Sequence, residues 1–130
     1  MIGYVTLGTN DVDRARAFYD ALLAELGAKR LMQLPDNDFT LYGTSFGRPG
    51  LAVIRPYDGG PAVPGNGNMA ALAVDARDKV DALYAKAIEL GAADEGGPGL
   101  RSPEGPMAFY GAYFRDPDGN KLCVFRVGPA

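Results

Sequence analysis

The 130-residue chain has no histidine and no tryptophan, and only one cysteine. Without histidine there is no Ser-His-Asp triad, no Cys-His pair, no imidazole base and no His-ligated zinc. One cysteine excludes an internal disulfide framework. Long apolar runs are missing as well, since no stretch approaches the roughly 20 residues that a membrane span requires. The opening Met-Ile-Gly-Tyr-Val-Thr-Leu lacks a basic start followed by a long apolar segment, so it does not read as a signal peptide. Charge is nearly balanced, with 13 Lys plus Arg against 16 Asp plus Glu and a net of −3. Such a balance supplies no concentrated basic patch for a phosphate backbone. The expectation is a cytoplasmic, reduced protein with no nucleic-acid and no membrane partner. Its chemistry is left to carboxylates, tyrosines, one thiol or nothing.

What is present is an ordinary globular composition, 47% hydrophobic and 22% charged, of a length that suits one domain spanning 1–130. Within it lies an internal repeat. At an offset of 65, Leu7 falls on Leu72, Asp13 on Asp78, Ala17 on Ala82 and Tyr19 on Tyr84. After one slipped residue, Glu25-Leu26-Gly27-Ala28 falls on Glu89-Leu90-Gly91-Ala92. Two pseudo-repeats follow, about 1–57 and 68–130, joined by a Pro/Gly-rich linker. Each opens with a short apolar strand, Ile2 to Leu7 and Met69 to Val74. A helix comes next, its face formed by Ala15, Phe18, Tyr19, Leu22, Leu23 and Leu26 in one copy. Val80, Leu83, Tyr84, Ala87 and Ile88 form it in the other. Asn10 or Asp11 caps the first helix and Asp75 the second, while Gly27 and Gly91 end them.

Strands fill the remainder. Lys29 to Leu34, Asp38 to Thr44 and Gly50 to Arg55 complete the first module. Ala93 to Gly97, Ala108 to Arg115 and Lys121 to Val127 complete the second. Asp116-Pro-Asp-Gly-Asn120 is a tight hairpin turn in which the carboxylates serve the turn itself. The run Gly96-Gly-Pro-Gly-Leu-Arg101 has no helix after it and reads as a loop. That loop leads to Ser102–Pro106 and is able to close over whatever the sheet lines. The fold class is α+β: two βαβββ modules in tandem forming a cupped mixed sheet. Since one sheet face covers a helix, the other is free. Tyr4, Thr6 and Gly8 share that free face, as do Met69, Ala71 and Ala73 by the repeat. So do Lys121, Cys123 and Phe125. Pairing Arg115 with Lys121 sets Tyr113 beside Cys123; a slip of one residue would put Phe114 there.

In three segments the chain resembles the vicinal-oxygen-chelate superfamily of glyoxalase I, bleomycin-resistance proteins and extradiol dioxygenases. These are the opening strand with Asn10-Asp11 and Arg16-Ala-Phe-Tyr19, the second opening Met69-Ala-Ala-Leu-Ala-Val-Asp75, and the ending Arg115-Asp-Pro-Asp-Gly-Asn-Lys-Leu122. The resemblance implies paired βαβββ modules around a cup, completed by a homodimer. It also implies metal ligands on four strands, at Tyr4, at Met69, at Cys123 and within a residue of Val53. None of these is a usual ligand of the family, and a phenol, a thioether, a thiol and an isopropyl group suit a hard divalent cation poorly.

The expected function is therefore metal-free and cofactor-free binding of a small organic molecule. Tyr4, Thr6, Met69, Ala71, Arg101, Glu104, Tyr113, Cys123 and Phe125 form the expected contact set. Arg101 and Glu104 are its polar anchors. The alternative is a glyoxalase-type lyase or isomerase with a degenerate site, polarising its substrate through Tyr4, Tyr113 or Arg101. Two further readings stand beside these: an unusual metal site on Cys123 and Glu104, and an interaction module whose cup is sealed by its own side chains. Against any catalytic role stand ordinary ones, with Tyr4 packing on its strand and Cys123 serving as a small buried hydrophobe.

Overall fold

Each helix of this protein ends where a glycine takes positive φ, and each is flanked by strands that pair on one side of it. The computed structural model describes residues 1–130 and divides into two compact units, Met1–Gly65 and Asn66–Ala130. The first unit contains β1 (Tyr4–Gly8), α1 (Val12–Ala24), β2 (Lys29–Leu34), a 3-10 turn (Asp36–Asp38), β3 (Phe39–Gly43) and β4 (Gly50–Ile54). The second contains β5 (Ala70–Ala73), α2 (Arg77–Glu89), β6 (Ala93–Leu100), β7 (Phe109–Arg115) and β8 (Lys121–Val127). The tandem βαβββ order is the one expected. It yields two four-stranded mixed sheets, ordered β1-β4-β3-β2 and β5-β8-β7-β6. In each, the first strand runs parallel to the last and the other pairs are antiparallel. No helix is long and apolar enough to cross a membrane.

In α1 the buried stripe is Val12, Ala15, Phe18, Tyr19, Leu22 and Leu23. Asp11 caps it, its carboxylate accepting from the Arg14 N–H at 3.0 Å. Asn10, the other cap candidate, bonds instead to both backbone groups of Ala62 and ties the middle of the linker to the start of α1. At the far end Gly27 has φ of 73°, letting the Ala28 N–H return to the Leu23 carbonyl at 3.0 Å. In α2 the buried residues are Val80, Leu83 and Ala87. Here the cap differs from expectation: Ala76 occupies it, with no side-chain bond, while Asp75 pairs with Lys79 at 2.6 Å. An aspartate one residue too early in the chain lies outside the first turn's open N–H groups and finds an ammonium instead.

The glycine-rich run is also a correction. β6 extends through Gly96, Gly97, Pro98 and Gly99 to Leu100, with two register shifts against β7. Only the residues from Arg101 onward form the connection. Glycines that weaken a regular strand are compatible with a bulged one at the sheet edge.

Register decides which side chains face away from the helices. The Tyr42 hydroxyl donates to Asp20 of α1 at 2.8 Å, and Arg16 Nε donates to Thr40 Oγ1 at 2.9 Å. Thr40 and Tyr42 therefore lie on the helix face, together with their partners Val53 and Leu51. Alternation puts Leu41 and its partner Ala52 on the other face, with Thr6 beside Ala52 on β1. In the second unit Leu122, Val124, Ala112 and Phe114 are buried, while Cys123 pairs with Tyr113 and Ala71. The expected pairing of Arg115 with Lys121 holds, so the one-residue slip that would favour Phe114 does not occur.

Candidate functional site

The free face of the first unit is apolar and concave. Its hollow has a volume of about 510 Å³ and is lined by Tyr4, Met32, Leu34, Phe39, Leu41, Ile54 and Tyr57, with Asp36 and Asn37 as its polar margin. Tyr4 meets Phe39 edge-on, with centroids 5.8 Å apart. These side chains are held open to solvent: Tyr4 is 55% exposed and Tyr57 96%. A bulge in β2 contributes to this, because Leu31 is the extra residue between Arg30 and Met32. Leu31 Cδ1 lies 2.9 Å from where a Cβ of Gly43 would be, so Leu31 and Met32 both turn to this face. Thr6, exposed on β1, shares it with Tyr4. Of the expected residues only Tyr4 lines the hollow itself. Of the others, Phe39 and Leu41 are signalled by their alternation with Thr40 and Tyr42, whereas Met32 beside the bulge and Tyr57 in the linker carry no such signal.

The second unit's free face carries Tyr113, Cys123, Phe125 and Phe109. Phe109 and Phe125 stack at 5.1 Å with planes 7° apart. Gly111 opposite Phe125 makes this possible, since a Cβ there would come within 2.8 Å of the Phe109 ring. Ala71 borders Cys123 across β5, and Met69 precedes that strand, partly exposed. Burial pushes the Cys123 thiol up, against the opposing pull of Tyr113, Arg101 and Lys121. It is a neutral, fully buried thiol, which is a poor nucleophile.

Arg101 lies on this face. Its guanidinium stands 5.4 Å from the Tyr113 ring centroid, and Lys121 Nζ lies at the same distance. Glu104, the other expected anchor, is elsewhere. It pairs with Arg77 of α2 at 2.9 Å, and Arg77 in turn lies over Tyr110, whose hydroxyl donates to Asp81 of α2. Those contacts place Glu104 on the helix side of the sheet and away from Cys123. The connection is fastened there by the Arg101 N–H to the Phe109 carbonyl and the Phe109 N–H to Ser102 Oγ, both at 2.8 Å. The Asp116 carboxylate, expected to serve the turn, does so by accepting from the Asp118 and Asn120 N–H groups.

Register also narrows the position that the family pattern leaves open by one residue around Val53. Val53 is buried on the helix face. Its neighbour Ala52 pairs with Thr6 as Cys123 pairs with Ala71, so Ala52 is the counterpart of Cys123. Of these positions the first unit then holds a phenol and a methyl and the second a thioether and a buried thiol, groups that suit a hard divalent cation poorly. No group of three or more His, Cys, Asp or Glu side chains is arranged to hold a metal ion.

Comparison with known proteins gives a consistent result. The family model described as Glyoxalase/Bleomycin resistance protein/Dioxygenase superfamily matches residues 1–124. A glyoxalase/bleomycin resistance protein from Albidiferax ferrireducens T118 is 33% identical, with a TM-score of 0.82 over 97% of this chain and 98% of that one. TnmS3, an antibiotic binding protein from Streptomyces sp. CB03234, is 23% identical, with a TM-score of 0.68 over 98% and 96% of the two chains. A lactoylglutathione lyase from Agrobacterium tumefaciens is also 23% identical, with a TM-score of 0.64 over 97% and 92%. At that identity the last two show a shared fold. No curated protein matches.

Proposed function

The chain belongs to the glyoxalase/bleomycin resistance protein/dioxygenase superfamily, and from that membership we propose a metal-independent protein that binds a small, largely apolar organic molecule. The observation that carries this reading is the open hollow of the first unit, walled by Tyr4, Phe39, Leu41 and Ile54. Its volume lies within the range usual for small-ligand sites, and its apolar wall with a narrow polar margin is their usual make-up. A soluble fold gains nothing by exposing such a patch unless something covers it. That TnmS3, a protein of the same fold, is an antibiotic binding protein is in keeping with a small-molecule ligand. The four ligand positions of the family, filled here by Tyr4, Ala52, Met69 and Cys123, support independence from metal. The homodimer that the family pattern implies is part of the proposal, and sedimentation checks it.

The test is titration with a panel of neutral aromatic compounds, antibiotics included, followed by nuclear magnetic resonance shifts. Saturable binding that moves Phe39 and Leu41 resonances is expected, and Leu41→Asp should weaken it at least tenfold by placing a charge in the apolar wall. Absence of saturable binding across the panel overturns the reading. The lyase or isomerase alternative requires a polarising group. It is excluded as a mechanism if Tyr4→Phe and Arg101→Ala leave a detected turnover unchanged.

A further inference from the structure

The hollow of the first unit has a single charged residue in its lining, Asp36, and neither Lys nor Arg beside it. Other carboxylates of this unit are already engaged. Asp38 pairs with Arg55 and Asp20 with Arg30, each at 2.7 Å, and Asp11 caps α1. The Asp36 carboxylate is in no ion pair and accepts no hydrogen bond. An unmatched negative charge thus stands at the edge of an apolar, aromatic wall.

The backbone sets that charge close to the rings. Asp36 opens the 3-10 turn, and the Phe39 N–H closes it by donating to the Asp36 carbonyl. A turn closed in this way keeps its end α-carbons within about 7 Å of each other, so Asp36 and Phe39 enter the hollow side by side. Between them Asn37 takes the left-handed region, with φ of 55°, which asparagine adopts more readily than most residues. Its amide donates to the Arg55 and Pro56 carbonyls at 3.2 and 2.8 Å, and its own carbonyl accepts from the Arg55 N–H at 2.8 Å. These bonds fasten the turn to the segment that brings Tyr57 to the same hollow. Tyr57 and Tyr4 are both exposed, so their rings are open to a ligand. A sphere of the hollow's volume is only about 10 Å across, and one small molecule spans from the aromatic wall to Asp36.

Resting on the reading of this hollow as the ligand site, we propose that its occupant is an organic cation: a protonated amine on an apolar body. The ammonium meets Asp36 while the body lies against Phe39, Tyr4 and Tyr57. A positive charge gains both from the carboxylate and from the electron-rich faces of the rings. An anionic ligand would meet repulsion from Asp36 and find no cation in the lining.

The experiment titrates two probes calorimetrically into the intact chain: 1-naphthylmethylamine, protonated at neutral pH, and its neutral isostere 1-naphthalenemethanol. At low salt the amine should bind roughly five- to tenfold more tightly than the alcohol, and the gap should narrow as salt rises. Asp36→Asn should bring the amine down to about the alcohol's affinity and leave the alcohol's own unchanged, whereas Asp36→Glu should keep part of the preference. Thermal unfolding of each variant checks that the fold is retained. Equal affinity of the two probes for the unaltered chain, or a preference for the amine that survives Asp36→Asn, overturns the proposal and leaves the hollow as a site for neutral ligands. Saturable binding of neither probe overturns the hollow as a ligand site, and this proposal with it.

Discussion

Asp20 is bound from two sides. Arg30 of β2 donates to both its oxygens, and Tyr42 donates to one of them from beneath the helix. Arg30's hydrogen bonds, opposed by burial and reinforced by Tyr42, hold its carboxyl below the usual aspartate value of 3.8. A depressed carboxylate contributes stability that is fully present above its unfolded pKa and lost as pH falls through the folded one. Denaturant unfolding should therefore show stability declining below about pH 4. Asp20→Asn should lessen that decline, and an unchanged acid limb would contradict the assignment. Burial, with Asp20's bond, raises the Tyr42 phenol, so it stays neutral and a donor through the neutral range. None of this cluster was legible beforehand, because it joins residues 22 and 10 positions apart across three elements. By contrast Tyr113 beside Cys123 was legible, since a short turn fixes hairpin register residue by residue.

Elements were read well where local chemistry sets their limits. β2 and β8 run over the expected residues, because apolar alternation is stopped there by Pro35 and by the Asp116–Asn120 turn. β6 was read short: its glycines and Pro98 carry the composition of a loop, and only pairing with β7 makes it a strand. The position near Val53 was open by one residue for a related reason. All of Leu51, Ala52 and Val53 are buried, and a uniformly apolar strand gives no alternation to read. The helix starts offer a direct test. Asp11 caps α1, whereas Ala76 leaves α2's first N–H groups without a side-chain acceptor. Ala76 already has the extended backbone of a cap, so Ala76→Asp should stabilise the fold by about 0.5–2 kcal/mol. Its unfolding midpoint in urea should rise, and no rise would show that competition from Lys79 cancels the cap.

At the scale of the whole molecule, the repeat that divides the sequence also divides the candidate chemistry. The first unit presents an apolar hollow without a cation among its lining residues, and the second presents two cations around a tyrosine. The same βαβββ plan thus carries two chemically different free faces, and part of each was visible in the sequence. Tyr4, Tyr113, Phe125 and Arg101 were identifiable from strand parity and charge, but the walls built by a bulge and a linker were not. Sheet topology adds a consequence for solubility. β6 is the last strand in its sheet's order, with one side not paired within that sheet. Pro98 removes an N–H from that edge, and the two register shifts bend it out of the flat shape that another strand needs. The irregularity that seats Arg101 therefore also guards against edge-to-edge aggregation. Pro98→Val should leave the fold in place yet raise light scattering on storage at high concentration. If scattering is unchanged, the edge is protected by other means. A glycine- and proline-rich strand then has two simultaneous duties, seating Arg101 and blunting a sheet edge, and mutations that regularise it for stability would disturb both.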